Sequence, residues 1–218
     1  MVKKNKYIED FDKISVVKMG KHSSWSWKND PKHLIFSLSR YKFVSKMFQG
    51  LNQVLEIGAG DGFKSKIVAQ NVKKLTLCDS ENINLKMYNS RDNNYSKLKY
   101  IKHDFIKKSL KSKYDGIYLL DVLEHISKKS EVKFIKNISK SLKKDSVFIV
   151  GIPSLESQKY ASKHVKKTHV NCKSKYELKL FMEKFFRNVF MFSMNDEVLH
   201  TGFEKMSNYI FALCVNKK

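Results

Sequence analysis

Three alternate glycines directly after a short apolar run restrict the fold more than any other feature of this chain. The run covers residues 54–57 (Val-Leu-Glu-Ile), which is typical of a central strand in a parallel sheet, and Gly58, Gly60 and Gly62 follow it. Glycine lets a chain turn sharply and lets a ligand approach the backbone closely. A helix predicted from Phe63 to Asn71 would direct its free amide groups toward that ligand. The alternative is a structural turn that holds no ligand.

Four more strand-like runs follow, each separated from the next by enough residues for a crossover: Leu75–Cys78, Leu98–Ile101, Gly116–Leu120 and Val147–Val150. Such alternation predicts an α/β fold with a doubly wound, mostly parallel, Rossmann-like sheet and helices on both faces. Ligands bind these sheets beyond the carboxyl ends of the strands. Candidate site residues are therefore expected where the strands end.

Further elements are predicted on both sides of this core. A helix from Pro31 to Phe48, capped by Asp30, has apolar residues at helical spacing. Another amphipathic helix is predicted from Tyr176 to Phe186. The strands Asn188–Ser193 and Asn208–Val215 are joined by a connection too short for a helical crossover, so we expect them to be antiparallel neighbours.

Size and composition predict a single domain. The chain has 218 residues, of which 42% are hydrophobic, enough for one sizeable core. Residues 1–13 are charged, and no apolar run approaches the roughly 18 residues that span a bilayer, so a cytoplasmic protein with no membrane span is predicted. Cys78, Cys172 and Cys214 are odd in number and far apart, which predicts neither a disulfide framework nor a zinc site.

The net charge of +22 raises the question of a nucleic-acid partner. Only Arg40, Arg91 and Arg187 are arginines among the 43 basic residues, whereas recognition of phosphates and bases depends strongly on arginine. We therefore favour a solvated lysine surface. Attraction of a phosphorylated or nucleotide-linked small molecule is the next interpretation, and nucleic acid is less favoured.

The glycine spacing separates two kinds of nucleotide-binding loop. Dinucleotide-binding proteins use G-x-G-x-x-G, whereas this chain has G-x-G-x-G preceded by Glu56. That pattern resembles motif I of the class I S-adenosylmethionine (SAM) dependent methyltransferases. The resemblance implies SAM as the cofactor and a seven-stranded sheet with an antiparallel last strand. It also implies cofactor contacts from Glu56, Gly58, Ala59, Gly60 and Gly62.

Asp79 is predicted to bind the ribose of the cofactor. It closes the second strand, 21 positions after Gly58, close to the roughly 20 expected for an acidic residue that accepts from ribose hydroxyls. Ser80 is a further candidate contact beside it, and Glu81 and Asn82 are close enough to substitute. An exposed turn aspartate is the alternative.

Asp104 follows the third strand in the segment His103-Asp104-Phe105. The resemblance implies that Asp104 accepts a hydrogen bond from the adenine amino group. Phe105 is expected to cover the adenine ring, and His103 to face solvent.

The fourth strand ends in Asp121-Val-Leu-Glu124-His125, which is similar to the D-x-x-E-H of many small-molecule methyltransferases. The resemblance places Asp121 beside the cofactor. Methyltransferases of exocyclic base amines carry an Asn/Asp-Pro-Pro-aromatic element here, which this chain lacks. In ubiquinone-pathway O-methyltransferases a similar E-x-x-E-H is associated with a divalent metal, but aspartate replaces the first glutamate here, and no metal is assigned. Glu124 and His125 could instead cap the following helix.

Three histidines are candidates for the catalytic base, in the order His169, His200 and His125. The segment after the fifth strand contains His169, and a loop from Asn195 to Gly202 that leaves the sixth strand contains His200. Both segments are expected to begin at the ligand edge. A neutral imidazole can accept the proton of a hydroxyl that becomes a nucleophile near pH 7.

These patterns predict one methyltransferase domain over residues 1–218. Residues 1–50 form an N-terminal helical extension or lid, residues 51–152 the cofactor-binding core, and residues 153–218 the acceptor side. The predicted activity is SAM-dependent methylation of a small-molecule acceptor, most simply an oxygen of a sugar or nucleotide-linked metabolite. An RNA or protein methyltransferase and a noncatalytic SAM-binding module remain alternatives. Aromatic side chains that could cover the acceptor are Trp25, Trp27 and Tyr160.

Overall fold

The computed structural model describes residues 14, 16–90 and 96–218. Residues 1–13, the start of the predicted N-terminal extension, lie outside these ranges. Eight strands form one sheet in the part described: β1 (Gln53–Ile57), β2 (Lys74–Asp79), β3 (Leu98–Lys102), β4 (Tyr114–Leu120), β5 (Leu142–Pro153), β6 (Phe186–Asn195), β7 (Val198–His200) and β8 (Tyr209–Lys217).

The strand order is β3-β2-β1-β4-β5-β8-β6-β7. Neighbours from β3 to β5 pair in parallel, whereas β8 is antiparallel to both β5 and β6. The predicted doubly wound sheet with an antiparallel last strand is therefore confirmed, although the described residues form eight strands where seven were expected. The order reverses at β1 and β4, and this switch point is where open α/β sheets bind ligands.

The helices are α1 (Lys21–Asn29), α2 (Pro31–Met47), α3 (Lys66–Ala69), α4 (Asn82–Asn89), α5 (Lys128–Lys140), α6 (Lys163–Thr168) and α7 (Lys175–Glu183). Short 3₁₀ turns cover Leu123–His125, Glu156–Tyr160 and Glu204–Met206. The predicted helix α2 is confirmed, and the Asp30 side chain accepts from the backbone N–H of His33 at 3.1 Å.

Two expectations about individual elements were wrong. A helix was expected over residues 63–71, but only the four residues of α3 are helical there. Tight turns precede α3, and in them the Asp61 carboxylate accepts from the N–H of Phe63 at 3.0 Å. The loop expected over residues 195–202 contains the additional strand β7. A two-residue turn at Asp196, whose φ is 50°, folds β7 back onto β6, with Ser193 opposite His200.

Apolar layers cover both faces of the sheet. On one face α2 packs through Phe43, whose ring centroid lies 4.6 Å from that of Phe211. On the other face α5 and α7 bury Ile135 and Leu178 against strands from both halves of the sheet. Burial of each such side chain contributes roughly 1.5–3 kcal/mol, so the sheet is a firm base for loops at its carboxyl edge.

Within the described ranges, no helix combines the length and apolar character that a bilayer crossing needs. Cys78, Cys172 and Cys214 are all free thiols.

Candidate active site

The glycine loop after β1 opens into a cavity at the switch point of the sheet. Gly58, Gly60 and Gly62 have φ values of 75°, 55° and 68°, in the left-handed region that favours glycine. A Cβ on Gly58 would lie 2.2 Å from Cγ2 of Val122, so this position also needs glycine for packing. A Cβ on Gly60 would meet nothing closer than 3.7 Å. The backbone at Gly60 therefore faces the cavity, as close approach by a ligand requires.

Asp79 fixes the loop from the end of β2. Its carboxylate lines the cavity and accepts from the N–H of Gly60 at 3.1 Å and from the N–H of Glu81 at 2.9 Å. Each carboxylate oxygen keeps a lone pair for a further donor. Ser80 lines the same cavity, whereas Glu81 does not.

Glu56 and Gly62 lie beneath the loop and outside the cavity lining. The Glu56 carboxylate is buried and accepts from the hydroxyls of Tyr41 at 2.7 Å and Tyr118 at 2.6 Å. Burial raises the pKa of Glu56, which these hydrogen bonds partly offset. A Cβ on Gly62 would press on Leu77 and on the ring of Tyr88. Both residues thus support the loop from below.

Asp104 and Phe105 line the cavity after β3. The Asp104 carboxylate accepts from the N–H of Ile106 at 2.8 Å, which holds it at the turn. Phe105 is buried and meets the ring of His103 edge-on at a centroid distance of 4.7 Å. His103, which was expected to face solvent, is partly exposed and also lines the cavity, where its Nε2 lies 2.9 Å from the Lys108 carbonyl.

Asp121 closes β4 in a strained backbone conformation, with φ at 58°. Both of its carboxylate oxygens lie 3.1 Å from Nη1 of Arg40 on α2, and the Arg40 guanidinium stacks over the Tyr209 ring at 3.8 Å. Burial alone would raise the pKa of Asp121, but Arg40 holds it below its usual value. Asp121 lines the cavity as an anion that is already paired.

The turn after β4 continues the cavity wall beyond Asp121. At this turn Glu124, His125 and His169 lie close together. One ligating atom from each lies within 4.8 Å of the others, and the two imidazole centroids are 5.0 Å apart. His125 lines the cavity, whereas His169 lines an adjoining surface cavity. Burial and then the neighbouring His125 lower the pKa of His169.

Long-range contacts bring His169 to this turn. The N–H of Asn171 donates to the Glu124 carbonyl at 3.0 Å, and the Asn171 side-chain amide donates to the Ile126 carbonyl at 3.0 Å and to the Glu131 carboxylate at 2.6 Å. Lys173 adds an ion pair with Glu131 at 2.8 Å. The segment before α7 is therefore tied to the segment after β4.

His200 lies in a different region of the molecule. It is on β7, which is four strand spacings from β4 in the sheet order, or roughly 19 Å. It also lines none of the cavities described here. The structure thus brings His125 and His169 together and separates them from His200.

The N-terminal segment covers the glycine loop. The N–H of Ser23 donates to the Asp61 carboxylate at 3.1 Å, and His22 bonds to the Asn84 side chain at 3.2 Å. The three aromatic residues expected as possible covers do not line the cavity and are exposed, with exposed fractions of 66%, 59% and 81% for Trp25, Trp27 and Tyr160.

Sequence reasoning missed several residues of the cavity wall, among them the polar residues His22, Asp61, Lys64 and Asn84. Asp61 and Lys64 could have been suggested by their place beside the glycine loop. His22 and Asn84 carry no local signal, because they reach the cavity only through the contact between α1 and α4.

Comparison with known proteins identifies the family. The family model for nodulation protein S (NodS) matches residues 24–165. No curated protein matches the chain at a significant level.

Several solved structures share the fold. N-methyltransferase NodS from Bradyrhizobium japonicum WM9, in complex with S-adenosyl-L-homocysteine (SAH), is 16% identical, with a TM-score of 0.68 over 88% of this chain and 91% of that chain. The plantazolicin methyltransferase BpumL with SAH is 14% identical, with a TM-score of 0.68 over 89% and 88%. The DhpI–SAH complex is 11% identical, with a TM-score of 0.66 over 89% and 90%.

The family match covers well over half of the chain. The family match confirms the resemblance that the glycine loop indicated, and the solved structures share the observed fold. The residues of the cavity also fit the cofactor of this class, since an open glycine backbone faces the carboxylates of Asp79 and Asp104. The chain belongs to the NodS family of SAM-dependent methyltransferases.

Proposed function

We propose that this enzyme binds SAM in the cavity at the switch point and methylates a hydroxyl of a small sugar-like acceptor. The observation that carries the proposal is the continuity of that cavity. One wall holds the glycine loop with Asp79 and Asp104, and the other holds Asp121 and His125. A cofactor and an acceptor can therefore meet end to end in a single space.

The strand-end carboxylates have distinct parts in this proposal. Asp79 accepts from the ribose hydroxyls with the lone pairs that the backbone amides leave free. Asp104 accepts from the adenine amino group, and Phe105 packs against the adenine ring. Asp121 lies beside the cofactor in the cavity wall, and its ion pair with Arg40 holds the carboxylate in place there.

Methyl transfer is an in-line displacement. The acceptor oxygen forms a bond to the methyl carbon as the carbon–sulfur bond breaks, the electron pair of that bond stays on sulfur, and SAH is released. The hydroxyl proton leaves toward the histidine pair of His125 and His169. The enzyme contributes chiefly by holding oxygen, carbon and sulfur in line and free of water.

The charge beside the histidine pair favours a phosphorylated or nucleotide-linked acceptor. The surface cavity that contains His169 is also lined by Lys128, Lys159 and Lys166. Three ammonium groups around one depression attract phosphate oxygens. An acceptor phosphate in this cavity would leave its sugar near His125.

An amine acceptor is the second candidate. The structural neighbour from Bradyrhizobium japonicum is described as an N-methyltransferase, and the NodS family model matches this chain. A neutral amine would require the same in-line geometry and would lose its proton after the transfer.

The test is transfer of a deuterated methyl group from labelled SAM to a panel of sugars, amino sugars and their phosphorylated or nucleotide-linked forms. Mass spectrometry would give both the product and its methylated atom. We expect SAH formation with a phosphorylated sugar and a label on oxygen. A label on nitrogen would favour the second candidate, whereas no SAH with any acceptor would indicate a noncatalytic module.

The lysine-lined cavity can be tested separately. The double substitution Lys128→Ser and Lys159→Ser should raise KM for a phosphorylated acceptor about tenfold, since each exposed charge pair contributes up to about 1 kcal/mol. The matched control is Lys42→Ser with Lys99→Ser, which are exposed and lie outside the described cavities. Equal KM values for the two double variants would contradict phosphate binding in this cavity.

A further inference from the structure

We infer that Glu124, His125 and His169 together bind a divalent transition-metal cation at the acceptor end of the cavity. The three side chains come from two distant segments, yet one ligating atom from each lies within 4.8 Å of the others. A carboxylate oxygen and two imidazole nitrogens are donors that Mn²⁺, Fe²⁺ and Zn²⁺ accept.

The Glu124 carboxylate is the strongest sign that a ligand is required. Its side chain is fully buried, and neither oxygen has a hydrogen-bond partner among the residues described. The buried cations Arg40 and Lys173 are paired with Asp121 and Glu131 instead. A buried carboxylate without a partner is costly, and a bound ion is one of the few ways to satisfy it.

Both imidazoles use Nδ1 for a hydrogen bond to an oxygen, which leaves Nε2 for a metal ion. Nδ1 of His125 lies 2.9 Å from the Thr168 carbonyl, and Nδ1 of His169 lies 3.1 Å from Oε1 of Gln158. With Nδ1–H donating to an oxygen in each case, Nε2 carries the lone pair. Metal-bound histidines almost always donate their other ring nitrogen in this way, which fixes the ring.

The arrangement is held in place without the cation. Asn171 ties the segment that contains His169 to the Glu124 backbone and to Glu131, and Lys173 strengthens this connection. Binding therefore requires little ordering of the chain. Glu124 does not cap the next helix, because its carboxylate accepts no hydrogen bond from the residues described.

Three protein ligands leave coordination positions open on the side where His125 lines the cavity. This part of the inference rests on the proposed function. An acceptor hydroxyl in an open position would be oriented toward the methyl group, and its pKa would fall on coordination. The histidines would then act by holding the cation, and the hydroxyl proton would leave to water. The acceptor would therefore belong to a class of compounds whose hydroxyl oxygen can bind a metal ion.

The experiment is Mn²⁺ binding to the full chain after treatment with EDTA, followed by calorimetry and by the electron paramagnetic resonance signal of free Mn²⁺. We expect one site per chain. Glu124→Gln and His169→Ala should each weaken Mn²⁺ binding at least 100-fold, whereas Gln158→Leu should weaken it about tenfold through the lost orientation of His169. The matched control is His200→Ala, which should bind Mn²⁺ like the wild type.

Folding of the variants is tested by thermal melting in EDTA. Glu124→Gln keeps the shape of the side chain, so it should melt at or above the wild-type temperature but lose the increase that Mn²⁺ gives. Absence of Mn²⁺ binding to the wild type, or equal binding by Glu124→Gln and wild type, would overturn the inference. SAH binding in EDTA is measured on the same samples. Its failure would reject the proposed function while leaving the Mn²⁺ result to stand.

Discussion

The two ends of the cavity differ in how their polar groups are satisfied. At the cofactor end, Asp79, Asp104 and Glu56 each accept hydrogen bonds from neighbouring backbone or tyrosine groups. At the acceptor end, Glu124 is buried without a partner, and Asp121 has a strained backbone. The carboxylates at the proposed cofactor end are thus each held by the chain itself, whereas Glu124 at the proposed acceptor end has both oxygens left for a ligand.

This difference follows from the way each end is built. At the cofactor end, Asp79 and Asp104 each accept a hydrogen bond from the N–H two residues later, so the turns after β2 and β3 hold these carboxylates locally. The acceptor end joins the turn after β4 to residues more than 40 positions later, through Thr168 and Asn171. Function at that end depends on tertiary contacts, and substitutions there should affect binding of the cofactor least.

The largest effect should come from Gly58→Ala at the cofactor end. Alanine at this position would have to keep the left-handed backbone conformation at φ 75°, and its Cβ would lie 2.2 Å from Cγ2 of Val122. Strain and overpacking together should lower the free energy of unfolding by about 3 kcal/mol, measured by urea denaturation. Gly50→Ala, with φ at 84° but open space around it, should cost about 1 kcal/mol. Equal costs at the two positions would contradict the packing of the loop against Val122.

Asn171→Ala tests the acceptor end. It leaves the partly buried Ile126 carbonyl without its donor, removes one of the donors to the Glu131 carboxylate, and takes the Asn171 amide oxygen away from Lys173. The free energy of unfolding should therefore fall by about 2 kcal/mol. Affinity for SAH should be unchanged in calorimetry, because the residue lies outside the cofactor cavity. The control Asn188→Ala, at an exposed pair with Asn216, should cost less than about 0.5 kcal/mol. A matching loss of SAH affinity in Asn171→Ala would show that the two ends are not independent.

A smaller effect is expected for Asp61→Ala, which releases α1 from the glycine loop. The Ser23 N–H would lose its acceptor, and SAH affinity should fall about tenfold through faster dissociation. Trp25 and Trp27 both lie on α1, so their fluorescence in stopped-flow mixing reports the change. The exposed Asp145→Ala should dissociate like the wild type. An unchanged dissociation rate in Asp61→Ala would mean that α1 does not retain the cofactor.

The same contrast explains what could be read from the sequence. The glycine loop, the strand pattern and the strand-end position of Asp79 depend on local spacing, and the sequence predicted all three. Glu124 and His125 were recognised as a pair, but the buried state of Glu124 and its proximity to His169 depend on the path of the chain after β5. The distance of His200, the second candidate base, was missed for the same reason, since only the sheet order shows that β7 carries it away from β4.

The central claim is that strand-end carboxylates around the glycine loop bind the cofactor. Its most direct test is calorimetric titration of SAH into Asp79→Asn and into the matched control Asp115→Asn. Asp115 also accepts a backbone N–H, from Gln53 at 2.8 Å, but at the opposite edge of the sheet. We expect Asp79→Asn to weaken SAH binding about 30-fold, or about 2 kcal/mol, and Asp115→Asn to bind SAH like the wild type. Equal SAH affinity in Asp79→Asn and the wild type would contradict the account.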